Sequence, residues 1–213
     1  MENIQDNVKK GTTTVGIVCK EGIVLAADKR ATMGYDFVAD KKVDKIYQIT
    51  DNMVVTTAGT VSDAQLITKL IKAELSLRKI RTERESNVKE TANLLGTIVY
   101  QNIRKFSPIL GVTGFLLGGK DNAGFHLYEL APDGSVMEYD DYMADGSGMI
   151  SALSVLDTLY KKGLSIEDGI KLSVKCVNAA IQRNTATGEG IDVWTITKDG
   201  VKKVLTKRIE TTL

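Results

Sequence analysis

One stretch concentrates the chemical possibilities of this chain, VKKGTTTVGIV from Val8 to Val18. Two lysines and a glycine precede three threonines, and an apolar run begins at once behind them. Two readings compete. Thr12, Thr13 and Thr14 are β-branched and suit a strand, or Thr12 becomes a new N-terminus. A threonine hydroxyl attacks poorly until a base takes its proton. A cut between Gly11 and Thr12 would give Thr12 a free α-amine, whose pKa of about 8 lies well below the roughly 10.4 of lysine. That amine would serve as base to the hydroxyl of the same residue. Gly11 suits such a cut, because glycine permits close approach and unusual backbone angles.

Three further positions fit acyl transfer. Asp28 ends the run LAAD and Lys45 opens KIYQI. A lysine held charged by a carboxylate lowers the pKa of a nearby hydroxyl. Gly59, in TTAGTVSD, stands at a strand-to-helix junction, where backbone N–H groups near the positive end of a helix can hold an oxyanion. Taken singly, Asp28 and Lys45 read more readily as surface charges and Gly59 as a turn glycine.

Other chemistries find little support. His126 is the single histidine, on an alternating strand pattern without a nearby nucleophile motif such as G-x-S-x-G, so a histidine base is not expected. Cys19 and Cys176 sit in apolar patterns and read as buried thiols; two cysteines make neither a zinc site nor a disulfide framework. No metal or cofactor is expected. Lys+Arg 28 against Asp+Glu 27 gives a formal charge of +1, so no basic field points to nucleic acid or to an anionic membrane. No apolar run approaches the roughly 18 residues of a membrane span, and Met1 to Lys10 lacks the apolar core of a secretory signal. A cytoplasmic protein is the expectation.

Elements must hold these positions together. TTTVGIVC and GIVLAAD read as a hairpin turning at Lys20, Glu21 and Gly22, and KIYQI with MVVTTAG as a second pair turning at Thr50, Asp51 and Asn52. A helix is predicted from Ser62, with Gln65 completing a capping box and Leu66, Ile67, Leu70 and Ile71 on its apolar face. A second starts at Asn87 with Glu90, lines Val88, Ala92, Leu95, Val99 and Ile103 on one face, and ends before Pro108. VTGFLLGG, GFHLYEL and SVMEYD read as strands, with APDGS as a turn. Helices follow from about Met149 to Lys162, stopping at Gly163, and from the Ser165 cap with Asp168 to about Arg183. GIDVWTIT and GVKKVL close the chain as strands. At 213 residues without a linker this reads as one domain, α+β, with two stacked antiparallel sheets each covered by a helix pair.

In their order and spacing these motifs resemble the β-type subunits of the 20S proteasome, of the archaeal kind, among the N-terminal-nucleophile hydrolases. GTTTVGI resembles that family's processing site, LAADKRAT its second strand, TAGTVSDAQ its strand-to-helix junction and GSGM its glycine-serine loop. The likeness runs from Gly11 to the final strands and implies a four-layer α-β-β-α sandwich. It implies Thr12 as nucleophile and proton acceptor, Asp28 and Lys45 as the charged pair that tunes it, and Gly59 as the oxyanion N–H. Thr32 and Gly59 would pair the substrate backbone, Ser147 would hydrogen-bond near the threonine amine, and Thr57 would lie near the base of the pocket for the side chain preceding the cut.

The resemblance also implies that residues 1–11 are a propeptide removed autocatalytically at Gly11–Thr12, leaving 12–213 as the catalytic domain. Threonine endopeptidase activity on unfolded polypeptide would then sit in seven-membered β rings flanked by α-subunit rings and fed by a regulatory ATPase. One segment departs. Where the family pattern is R-D-x-x-S-G, this chain has R-N-T-A-T-G from Arg183 to Gly188, so Asn184 and Thr187 stand for aspartate and serine. The departure keeps a second reading open, a ring member without a working site. A third is an unrelated N-terminal-nucleophile amidase acting on small molecules.

Overall fold

The computed structural model describes residues 9–34 and 37–209. Strand β1 (Lys9–Lys10) precedes the hairpin of β2 (Thr14–Cys19) and β3 (Gly22–Asp28), and then β4 (Ala31–Met33) and β5 (Phe37–Asp40). β6 (Ile46–Thr50) and β7 (Met53–Gly59) lead into helices α1 (Val61–Thr82) and α2 (Val88–Arg104). Next come β8 (Thr113–Asp121), β9 (Gly124–Leu130), β10 (Val136–Tyr139) and β11 (Tyr142–Asp145). Helices α3 (Met149–Leu159) and α4 (Ile166–Arg183) and strands β12 (Gly190–Thr197) and β13 (Gly200–Arg208) complete the chain.

Two five-stranded antiparallel sheets, ordered β10-β9-β8-β7-β6 and β11-β2-β3-β12-β13, form the middle layers, and a small sheet β1-β4-β5 lies apart from them. Side-chain alternation shows why they stack. Every residue of β3 is buried, so both of its faces need cover. Ile23, Leu25 and Ala27 pack with Val54, Leu116 and Leu127 of the other sheet, while Val24 and Ala26 face Cys176 and Val177 of α4. In the other sheet Val55, Phe115 and Leu117 turn to Ile67 and Ile71 of α1 and Leu95 of α2. Three contiguous apolar layers result, and the expected α-β-β-α sandwich is the fold. Among the described residues, no helix is long and apolar enough to cross a membrane.

Several boundaries differ from expectation. Helix α1 starts at Val61 behind an N-cap Thr60 that makes no side-chain capping bond; Ser62 lies inside the helix and its hydroxyl bonds the neighbouring Asp63 carboxylate. Its buried face is Ala64, Ile67, Thr68, Ile71 and Leu75, while Leu66 and Leu70 are exposed. Four leucine or isoleucine positions within six residues fit two helical faces equally, and the sheet chose the one carrying Ala64 and Leu75. Helix α3 stops at Leu159, where the Tyr160 N–H closes on the Leu156 carbonyl, short of Lys162. The first strand of the main sheet begins at Thr14, two residues after Thr12. Other expectations hold: Asn87 and Glu90 form both halves of the capping box, and Ser165 accepts from the Asp168 N–H.

Phe115 is fully buried and Leu66 is 47% exposed. Phe115→Ala is expected to lower the unfolding free energy by about 3–5 kcal/mol, and Leu66→Ala of the separate chain by less than about 0.5 kcal/mol. Urea unfolding of the two variants checks this.

Candidate active site

The carboxylate of Asp28 organises the site. It stands at the end of β3, with its side chain wholly out of solvent, where bare charge would be costly. Four donors meet it. Oδ1 accepts from Lys45 Nζ at 2.7 Å and from the Thr13 N–H at 2.9 Å; Oδ2 accepts from the Arg30 N–H at 3.0 Å and the Gly188 N–H at 2.9 Å. Lys45, just ahead of β6, is 3% exposed. Burial lowers its pKa, and the Asp28 charge opposes that without fully reversing it. Its Nζ also donates to the Gly11 carbonyl oxygen at 2.8 Å. Thr57 donates its N–H to the Lys45 carbonyl at 2.9 Å, so β7 sets where the lysine emerges.

Thr12 lies between this ion pair and the 146–148 loop. Its hydroxyl donates to the same Gly11 carbonyl oxygen that receives Lys45. Its N–H donates to Ser147 Oγ at 3.3 Å; in return the Ser147 hydroxyl lies 3.1 Å from the Thr12 carbonyl, which also accepts from the Gly148 N–H at 3.3 Å. Gly11 adopts φ +97°, and a Cβ there would meet Thr32 Oγ1 and the Ala186 carbonyl below 3 Å. No other residue type fits between those walls without displacing backbone.

Asn184 links the far side. Its Nδ2 donates to the Ser147 carbonyl at 2.8 Å, while its Oδ1 accepts from the Ala186 N–H at 3.0 Å and lies 3.2 Å from the hydroxyls of Ser147 and Thr187. A backbone carbonyl on one side and a backbone N–H on the other fix the amide orientation. They also require one donor and one acceptor, which a carboxylate does not supply. Thr187 Oγ1 reaches Thr13 Oγ1 at 2.7 Å and so ties this segment to the start of β2.

An open cleft of about 350 Å³ lies over Thr12, lined in part by Gly11, Thr32, Gly59, Asp145, Gly146 and Ser147. Gly59 ends β7 with φ +109°, and a Cβ on it would overlap the Val112 carbonyl, so the junction with α1 closes only around glycine. Thr57 lines a separate small hollow with Thr12, Lys45 and Gly59. The structure thus gathers Gly11, Thr12, Asp28, Thr32, Lys45, Thr57, Gly59, Ser147, Asn184 and Thr187 around one point. Strand β1 pairs antiparallel with β4, Lys10 opposite Thr32, so the residues ahead of Gly11 already occupy the added-strand position expected at Thr32.

The sequence reading missed four contributors. Thr13 serves Asp28 with its backbone and Thr187 with its side chain. Arg30 bonds Glu189 at 2.9 Å and the Thr185 carbonyl at 2.8 Å, which anchors the 184–189 segment. Gly188 acts through its N–H. Asp145 lines the cleft, and burial pushes its carboxyl up to about 6, with the Glu129 charge adding to the rise and the Gly146 N–H opposing it. The triple threonine and the Asp-Lys-Arg run carried a signal for the first two; backbone donors and Asp145 carried none. Burial also pushes Cys19 and Cys176 up to about 12, as inert apolar thiols require. His126 pairs with Glu138 at 2.7 Å and lines neither hollow at Thr12.

Comparison with known proteins shows the family. A family model described as "Proteasome subunit" matches residues 8–196. "Proteasome subunit beta" of Ferroglobus placidus is 42% identical over 210 residues, 99% of this chain and 98% of that protein. The protein of the same name from Archaeoglobus profundus is 45% identical over 92% of this chain and 89% of its own length. "Proteasome subunit beta 2" of Pyrococcus furiosus is 46% identical over 91% of each.

Asp28→Ala would leave Lys45 without its counter-ion and three backbone N–H groups without their acceptor, and an expected loss of about 3–5 kcal/mol follows in denaturant unfolding. For Asp145 the folded pKa lies above the unfolded value of 3.8. Its contribution to stability is therefore greatest below about pH 4 and is lost as pH rises toward 6. Asp145→Asn should raise the melting temperature relative to wild type at pH 7 and show a smaller gain at pH 4.

Proposed function

Because the chain belongs to the proteasome subunit family, we propose that it is a catalytic β-type subunit, a threonine endopeptidase that cuts unfolded polypeptide through Thr12. The observation that carries this reading is the convergence of the Thr12 hydroxyl and the Lys45 ammonium on the Gly11 carbonyl oxygen. The carbonyl ahead of Thr12 is polarised by a buried cation and touched by the nearest hydroxyl.

Two phases follow. In the unprocessed chain the Thr12 oxygen attacks the Gly11 carbonyl carbon. The C–N bond to Thr12 breaks, its nitrogen takes the hydroxyl proton, and an ester forms on Oγ1. Water hydrolyses that ester, releases residues 1–11 and leaves Thr12 with a free α-amine. Residues 1–8 lie outside the described residues. In the mature chain this amine accepts the Thr12 hydroxyl proton as the oxygen attacks a substrate carbonyl. The Gly59 N–H, at the end of β7, stabilises the oxyanion, and the proton passes to the leaving amine. The acyl-enzyme is then hydrolysed by water. Lys45, held by Asp28, supplies the positive field that favours the ionised hydroxyl. Ser147 holds the Thr12 nitrogen, and Thr32 with Gly59 pairs the substrate backbone. Thr57 helps bound the pocket for the residue preceding the cut.

Assembly belongs to the same reading: β subunits in seven-membered rings, α-subunit rings on either side, and a regulatory ATPase acting through them in the cytoplasm. The hydrogen bonds of Asn184 and Thr187 disfavour a purely structural subunit, because each polar side-chain atom of the two replacements has a partner.

Mass measurement of the assembled subunit should give a chain beginning at Thr12. Thr12→Ala should retain Gly11 and lower peptide turnover by at least about three orders of magnitude. A full-length active particle, or turnover unaffected by the substitution, would overturn the reading. Asn184→Asp would place a carboxylate near the mature Thr12 amine and raise that amine's pKa. The acid limb of the pH profile of kcat/KM should therefore move to higher pH; a superimposable profile would show that Asn184 does not act on the amine.

A further inference from the structure

We propose that Asp145 makes the cleft over Thr12 selective for polypeptides bearing a lysine or arginine close to the scissile bond. This rests on Thr12 being the peptidase nucleophile and adds a side-chain preference to it. Among the described residues lining the cleft, Asp145 is the one ionisable group; the rest are glycine, alanine, serine, threonine, valine and proline. Small uncharged walls leave little else to discriminate between substrates electrostatically.

The carboxylate is built in and incompletely satisfied. Asp145 ends β11, opposite Thr14 of β2, and the next residue, Gly146, packs against Thr12. Oδ1 accepts from the Gly146 N–H at 2.6 Å and retains capacity for a second donor. Oδ2 is shut off from solvent beside Gly114 and has no hydrogen-bond partner among the described residues, and a Cβ on Gly114 would lie 2.5 Å from it. Burial without a compensating cation is what drives its carboxyl upward, and an ammonium or guanidinium entering the cleft would reverse that penalty.

The backbone path ahead of Gly11 points the same way. The segment this chain itself lays along β4 reads Lys9-Lys10 just before Gly11. A substrate following that path brings the side chains flanking its scissile bond into the same cleft.

Peptides carrying lysine, scanned through the three residues on each side of the cut and compared with norleucine at the same place, test this on assembled mature particles. At one position at least, kcat/KM should favour lysine by about tenfold, the size of a charge-assisted bond, and Asp145→Asn should erase that ratio. No lysine preference at any position, or a preference that persists in Asp145→Asn, would overturn the proposal. Equilibrium binding of the same peptide pairs by fluorescence anisotropy, with Thr12→Ala and Thr12→Ala/Asp145→Asn particles, reads the subsite without catalysis. A lysine preference in binding that Asp145→Asn removes upholds the subsite even if Thr12 proves not to be the nucleophile; an unchanged ratio beside Thr12-dependent turnover sinks the subsite alone.

Discussion

A buried ion pair, Lys45 with Asp28, is the constraint on which the rest of the site depends. Removing two charges from water costs several kcal/mol each, and a contact at 2.7 Å offsets that only if the remaining lone pairs and protons find partners. Here they do. Thr13, Arg30 and Gly188 complete Asp28, and the Gly11 carbonyl takes a further proton of Lys45. Each partner is thereby fixed in place, which positions the chain on both sides of Thr12 and the segment beyond α4 by one electrostatic requirement. The pair is costly as a stabilising device and effective as a positioning one.

The sandwich supplies the rigidity that this requirement needs. β3 is buried on both faces, so the residue that ends it cannot drift. β7, in the other sheet, places Gly59 and Thr57 with the same firmness, and Lys45 is held to it by the Thr57 N–H. The site therefore spans the two sheets at one end, with loops contributing only short, multiply bonded segments. Ser147 and Asn184 show this: the loop before α3 and the C-cap of α4 are stitched through a side chain whose donor and acceptor are both used.

Much of the fold was legible because the apolar periodicities are strong. β3, β7, α2 and α4 fall where alternation and capping chemistry place them, and α2 buries Val88, Ala92, Leu95 and Val99 of its apolar face while Ile103 is half-buried. The errors fall where local sequence is ambiguous. In α1 the pairs Leu66/Ile67 and Leu70/Ile71 offer two adjacent faces, and only contact with the sheet picks one. β1, β4, β5 and β11 are only two to four residues long, so their pairing is a tertiary event without a periodic signature.

For the site, residue types and order along the chain already named Gly11, Thr12, Asp28, Lys45 and Gly59, because a hydroxyl nucleophile without a usable histidine leaves few chemical solutions. Family likeness added Thr32, Thr57, Ser147, Asn184 and Thr187. What only the folded chain decided is who shares a hydrogen bond with whom. The Thr13 and Gly188 amides carry no side-chain signature, Asp145 becomes notable only when its oxygen is buried without a donor, and Asn184 makes sense only between one carbonyl and one N–H. Sequence fixes which groups exist and how far apart they are along the chain; burial and hydrogen-bond geometry, which set their energies, arise when distant segments meet.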